Sequence, residues 1–256
     1  MNAPRTLWHD ILLVWTFFTR IPAPHFMTER TLSQALWALP LVGLILPLLQ
    51  VLAVALILYV FGAVPPIFLA ILIVGIGLIS TGALHWDGWA DFCDGLGVSK
   101  ARRAEVMRDS SLGTFGALGL IALLSLQVWG FSALIQQGVL NLNVFFFVPT
   151  LFIAALVSRA LMGLTWAFLP GMDTGSQAVR LGQPSKPLHF IYGILAVILM
   201  MVYGPSFWHL LFLLILIAGF IWFLYRSLGG ISGDGLGSIQ VVSETMIVTV
   251  YTLVII

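Results

Sequence analysis

Long apolar stretches separated by short polar interruptions run along nearly the whole chain. A helix that crosses a bilayer needs about 20 mostly apolar residues. On that basis the pattern predicts seven spans, at 36–61, 66–84, 114–136, 143–168, 188–203, 207–225 and 238–256. The fifth is short, and Pro40 and Pro47 predict a kink in the first. Residues 7–24 are apolar but too short to span, and Arg20, Pro22 and Pro24 end the run. That segment reads as an N-terminal interfacial or re-entrant helix. The expected fold class is therefore all-α: a polytopic membrane helix bundle with about seven transmembrane helices, forming a single integral-membrane catalytic domain over residues 1–256.

Composition agrees with the pattern. Of 256 residues, 60% are hydrophobic and only 8% charged, where a soluble domain carries about 25%. The net charge of +1 gives no field that would attract nucleic acid. Cys93 is the single cysteine, so no internal disulfide is expected. The start, MNAPRTLWHDILLVW, is polar, carries Asp10 and has no cleavage site after a short apolar core, so no removed signal is expected.

Seven spans sort the charges. One side of the membrane receives 1–35, 85–113, 169–187 and 226–237. The other receives the short connections 62–65, 137–142 and 204–205 and the C-terminus, which hold no Lys, Arg, Asp or Glu. The positive-inside rule assigns the charged side to the cytoplasm. The expected location is the cytoplasmic (inner) membrane, multi-pass, with the active site facing the cytoplasm. Lipid surrounds the spans, and flat apolar spans also permit a homo-oligomer.

The stretch Leu84–Gly116, LHWDGWADFCDGLGVSKARRAEVMRDSSLGTFG, holds five of the ten carboxylates and four of the eleven basic residues. Asp87, Asp91 and Asp94 are spaced i, i+4, i+7, so a helix presents all three on one face. Their repulsion at the mouth of a low-dielectric bundle calls for a divalent cation. Hard oxygen donors without His or Cys clusters favour Mg²⁺ or Mn²⁺ over zinc. Asp109 lies beyond a Gly-Leu-Gly turn and the run KARR, from where it could return to the same metal. The competing reading is a solvated loop whose charges only set topology. Lys100, Arg102, Arg103 and Arg108 beside metal carboxylates suggest a phosphate or pyrophosphate substrate, against the plainer reading of a positive-inside signal. Ser110, Ser111, Gly113 and Thr114 open the next span as ordinary caps or a weak anion site. His85 could relay a proton or bind phosphate.

Outside that stretch, Arg159 lies within the fourth span and needs a carboxylate or phosphate partner. The glycine-rich segment 228–238 carries Asp234 and permits close approach of backbone to a ligand. Glu244 follows about two turns into the last span and also needs a partner. FFTRIPAP, residues 17–24, holds Arg20 in a proline-stiffened turn. The remaining aromatics read as core or interface belts. Charges gathered at one face favour a metal-dependent phosphotransferase working at the membrane surface. A small-molecule transporter should instead show midplane sites, broken helices and repeats, and an assembly factor would not need these acids and glycines.

GALHWDGWADFCDGLG followed by RRAEVMRDSSLGTFG resembles the signature of the cobalamin synthase family, the adenosylcobinamide-GDP ribazoletransferases. FFTRIPAP, LPLVG at 39–43, Arg159 in VSRALM, and GGISGDGLGS at 229–238 followed by Glu244 extend the resemblance over nearly the whole chain. The resemblance implies a Mg²⁺-dependent enzyme of late cobalamin assembly. Its substrates would be adenosylcobinamide-GDP and α-ribazole or its 5′-phosphate, and its products GMP and adenosylcobalamin or its phosphate. It implies that Asp87, Asp91, Asp94 and Asp109 hold one or two Mg²⁺ on the pyrophosphate. Arg102, Arg103 and Arg108, with Arg20 and Arg159, would hold phosphate oxygens. The acid–base role falls to Asp94, Asp109 or His85, and Asp234 and Glu244 complete the site or bind the second substrate. Gln240 departs from the pattern, standing where a carboxylate is common. The CDP-alcohol phosphotransferases are the alternative, by analogy of mechanism, but their Asp-Gly-x-x-Ala-Arg element is not present here.

Overall fold

The computed structural model describes residues 3–109, 111–140, 144–172, 182–204 and 206–255. Ser110, and residues 173–181 of the loop before the fifth predicted span, lie outside the described residues. All the regular structure of the described residues is helical, with one isolated backbone bridge between Gly171 and Ile231. Its helices are α1 (Ala3–Phe18), α2 (Leu32–Ala35), α3 (Leu39–Gly43), α4 (Ile45–Phe61), α5 (Pro66–Thr81) and α6 (Leu84–Leu96). They continue with α7 (Arg103–Val106), α8 (Thr114–Ile135), α9 (Val144–Phe168), α10 (Lys186–Tyr203), α11 (Phe207–Leu228) and α12 (Gly233–Ile255). Six stretches are long and apolar enough to cross a membrane, and the bent pair α5–α6 makes a seventh if it counts as one span. This is a multi-pass membrane protein.

The bundle is organised around α9 and α12, whose spanning windows are 67% and 72% buried, against 17–33% in the other four. These two carry the interior polar groups, including Ser158, Arg159, Thr165, Gln240, Ser243 and Thr252, all under 9% exposed. Polar side chains of spanning helices belong in the protein interior because lipid offers them no partner. The outer helices turn Tyr59, Ile79, Trp208 and Trp222 outward, as a lipid-facing surface requires.

The N-terminal segment matches its expected character in part. Helix α1 runs only to Phe18, where the Thr19 hydroxyl donates back to the Trp15 carbonyl (2.8 Å). Beyond it the chain is extended, and the Trp15 indole N–H closes the turn onto the Ile21 carbonyl (2.8 Å). Asp10 is buried, accepts from the Trp37 indole (2.8 Å) and pairs with Arg30. That charge therefore has its partners within the fold and fastens α1 to the segment carrying α2 and α3.

Two features place the polar end. Helix α5 stops at Thr81, and α6 leaves at 92° to it, so we read α5 alone as the crossing and α6 as lying outside the spans. The corner is made by Gly82 and Ala83, both left-handed (φ 61° and 58°); Ala83 is the sole non-glycine with positive φ among the described residues. A left-handed alanine costs on the order of 1–2 kcal/mol, which the corner must offset through packing. Second, α6 lies directly on α12. The Ser238 hydroxyl donates to the Gly88 carbonyl (3.0 Å), and a Cβ at Gly88 would stand 2.7 Å from the Asp234 carbonyl oxygen. A Cβ at Gly237 would stand 3.2 Å from the His85 Cα. The glycines of 228–238, read as admitting a ligand, thus include positions that admit a neighbouring helix, as small residues do at interfaces of membrane helices.

Gly88→Val should force α6 off α12 and lower stability by about 1–3 kcal/mol, the range for overpacking. Gly75→Ala, where a Cβ meets nothing within 4 Å, should leave the thermal midpoint in detergent unchanged. Equal midpoints for the two variants would remove the close seam.

Candidate active site

The carboxylates on α6 do not all share one fate. Asp87 is exposed, and Asp91 and Asp234 are half-buried. Asp234 sits in the first turn of α12, where the helix dipole favours negative charge. None of the three carboxylates has a hydrogen-bond or ion-pair partner among the described residues. Burial pushes Asp91 up to about 7, and repulsion from Asp234, Asp87 and Asp94 adds to it. Three acids facing one another without a counter-charge form a strongly electronegative end to the bundle.

Asp94 has different neighbours. One carboxylate oxygen accepts the Gly113 N–H (2.8 Å) and the other the Gly116 N–H (2.7 Å). It therefore caps the N-terminus of α8 from a distance in sequence, satisfying donors that helix geometry leaves unpaired. Asp109 is fully exposed; its oxygen accepts the Ser111 N–H (3.1 Å), which holds its carboxyl below the usual range. Among the described residues no three His, Cys, Asp or Glu side chains form a ready cage for a metal ion. The four aspartates expected to share one metal are thus divided: Asp87 and Asp91 face Asp234, Asp94 caps a helix, and Asp109 stands in the loop.

The cations divide similarly. Arg103 donates to the Gly95 carbonyl (3.1 Å) and the Ser227 carbonyl (2.8 Å), and Lys100 donates to the Arg226 carbonyl (3.2 Å). These two tie the α6–α7 connection to the end of α11. The backbone of 170–172 bonds Ile231 nearby in chain order, so three loops predicted for one side are joined by contacts. Arg102 and Glu105 are exposed with 3.9 Å between charges, a pair of little weight in water. Arg20 and Arg108 are exposed and have no acceptor among the described residues. The Arg20 backbone N–H donates to the Ser80 carbonyl (2.7 Å) and its side chain lies over Gly82, at the α5–α6 corner.

Arg159, expected on a phosphate, is 4% exposed and pairs with Glu244 (3.1 Å). Arg159 also donates to the Ala155 carbonyl (2.9 Å), and Gln240 and Ser158 donate to the Glu244 carboxylate. Arg159 and Glu244, read separately from sequence, are partners. Gln240 completes the pair as a neutral donor, where a second carboxylate would add unpaired charge.

His85 is 4% exposed and joins the two polar regions. It lines a small cavity with Arg159, Glu244 and the amides of Gln50, Gln127 and Gln240. It also lines a cleft with Asp87 and Asp234, whose apolar walls include Phe17, Phe18, Met162 and Trp166. The aromatic walls were not singled out in the sequence. Their signal was the position of Phe17 and Phe18 immediately before the Arg20 turn. The internal amides were legible only as Gln residues within apolar spans.

Fold and site together define a multi-pass helical membrane protein with an open cluster of carboxylates at one end. The cobalamin-5-phosphate synthase family profile matches residues 10–252, and the chain belongs to that family. A Sinorhizobium medicae protein named adenosylcobinamide-GDP ribazoletransferase is 30% identical, with all of both chains covered. Proteins of the same name from Mesorhizobium japonicum and Leptospira biflexa are 32% and 33% identical, covering 97% and 91% of this chain and 94% and 90% of their own. The name is that of a transferase of cobalamin synthesis, so family membership favours this reading over the CDP-alcohol phosphotransferases. No solved structure matches the chain.

Removing one partner of the buried pair, in Arg159→Met or Glu244→Gln, should cost about 3–5 kcal/mol. The double variant should recover most of that loss, measured as thermal midpoints in detergent. Asp94→Ala should lose about 1–2 kcal/mol through the α8 cap, with Asp94→Asn losing less. Additive losses in the pair, or an Asp94→Ala midpoint equal to wild type, would count against these assignments.

Proposed function

We propose that the chain transfers the cobinamide-phosphate moiety of adenosylcobinamide-GDP to α-ribazole or its 5′-phosphate at the cleft between α6 and α12. The products are GMP and adenosylcobalamin or its phosphate. The observation that carries this reading is the set of carboxylates of Asp87, Asp91 and Asp234, without partners among the described residues, in a chain of this family. We place the cleft on the cytoplasmic side of the inner membrane, since the loops around it hold the Lys and Arg residues.

The donor set fits Mg²⁺. Hard, unpaired carboxylate oxygens suit that ion, which is usually held by one or two carboxylates together with substrate phosphates rather than by a full protein cage. Asp87 and Asp234, which line the same cleft, would hold it together with the substrate phosphates. Bound there, Mg²⁺ would neutralise the pyrophosphate and stabilise charge developing on the transferred phosphoryl group and the leaving GMP. Arg20 and Arg108, exposed and without an acceptor among the described residues, would hold phosphate oxygens. The ribazole hydroxyl oxygen bonds to the phosphorus on the cobinamide arm as the bond to GMP breaks. The hydroxyl proton would pass to the half-buried Asp91 carboxylate; His85, whose imidazole burial and Arg159 hold down at about 3, is too weak a base for it. Arg159 and Glu244 support the site by holding α9 against α12, without touching phosphate.

Purified protein in detergent should convert cobinamide-GDP and α-ribazole to a cobalamin product only with Mg²⁺. Intact protein giving no corrinoid product would falsify the reading. Asp91→Asn and Asp234→Asn should each lower turnover more than about a hundredfold, while Asp109→Asn stays near wild type. A stability readout tests the metal independently. The Asp91 carboxyl rises from 3.8 to about 7 on folding, so the folded protein holds the extra proton between those values. Without a divalent ion, stability should therefore fall as pH rises through that window. Mg²⁺ should raise the midpoint most above about pH 7, and Asp91→Asn should flatten both effects. A midpoint indifferent to Mg²⁺ at pH 8 would remove the ion from this cluster.

A further inference from the structure

The cleft beside Asp87 and Asp234 has two unlike kinds of wall. One is the two carboxylates. The other is aromatic and apolar, built from Phe17, Phe18, Met162 and Trp166. Phe17 and Phe18 meet edge to face with centroids 4.8 Å apart, and Phe18 stacks on His85 at 5.9 Å with 25° between planes. Apolar aromatic walls with a few polar groups are the usual make-up of a small-molecule site. One further atom stands out. Trp166, which also lines a neighbouring cavity with Gly171 and Ile231, is 5% exposed, and its indole N–H is buried with no acceptor among the described residues. A buried donor without an acceptor is costly, so an occupant that supplies one acceptor gains on binding.

We infer that this aromatic wall seats the ring of the second substrate, an aromatic heterocycle on a ribose, with the ribose directed at Asp87 and Asp234. The inference rests on the ribazole transfer proposed above. A benzimidazole riboside offers flat apolar faces for Phe17 and Phe18 and one unprotonated ring nitrogen, matching one free indole donor. Guanine, the other heterocycle in the reaction, carries several donors as well as an acceptor, and the apolar walls would leave most of them unpaired. A lipid acyl chain offers no acceptor and would cover the carboxylates with hydrocarbon. Trp166 and the two phenylalanines are therefore specificity-determining residues for the nucleoside. His85, stacked on Phe18, is held by the same wall that holds the ring.

The test is equilibrium dialysis of the full-length protein in detergent with α-ribazole alone, beside steady-state kinetics. Trp166→Phe keeps a ring and removes the N–H. It should weaken α-ribazole binding and raise its KM about five- to tenfold, with the KM for cobinamide-GDP unchanged. Phe17→Leu, at a side chain already 41% exposed and therefore tolerant in folding, should raise the same KM less. GMP should not displace α-ribazole from the wild type. Unchanged α-ribazole binding in both variants would overturn the inference. So would displacement by GMP, a shift confined to the cobinamide-GDP KM, or retention of a co-purified lipid that α-ribazole cannot displace. Each of these can occur in a protein that still makes cobalamin, so the inference can fail while the proposed reaction stands.

Discussion

The contact on which the site depends is the close approach of α6 to α12. Gly88 lies against the Asp234 backbone and Gly237 against His85, with the Ser238 hydroxyl bonding across to the Gly88 carbonyl. Any side chain at those glycines would separate the helices, and with them the carboxylates that the two helices carry. The seam also explains the corner before it. Only a sharp turn at Gly82 and Ala83 lets α6 leave the α5 direction and lie along the start of α12. A left-handed alanine is tolerated there because Arg20, bonded through its backbone to Ser80, packs over the turn.

Charge in a low-dielectric bundle has two stable solutions, and this protein uses both. Deep in the core, Arg159 and Glu244 neutralise each other, with Ser158 and Gln240 donating to the same Glu244 oxygen that meets Arg159. At the polar end, Asp87, Asp91 and Asp234 have no partner among the described residues. The first arrangement gives a fixed joint between the two central helices. The second leaves negative charge that no group among the described residues offsets. His85 stands between them, lining both cavities, so the rigid pair and the open cluster meet at one residue.

Much of the fold was legible because hydrophobicity over about 20 residues is a local property that the bilayer reads directly. The predicted spans correspond to α4, α5 and α8 through α12, with boundaries shifted by a few residues at the corner where α5 ends at Thr81. The aspartate spacing gave a true helix face for Asp87 and Asp91. It did not reveal that Asp94 turns to the N-terminus of α8, because its partners Gly113 and Gly116 lie about 20 residues further on. Nor could local pattern show that Arg103 would bond the Ser227 carbonyl rather than stand free.

By itself, the sequence determined the helical membrane class, the sidedness of its charges, the acid-rich segment and the family resemblance, because each depends on residue type and short spacing. Tertiary structure decided which charges are partners and which are available. Arg159 could equally have met a phosphate until α9 packed beside Glu244 of α12. Asp234 joined Asp87 and Asp91 only because Gly88 and Gly237 let two helices touch. Charge strength is a property of the residue. Charge availability depends on what the fold brings within about 3 Å of it, and those neighbours here come from far along the chain.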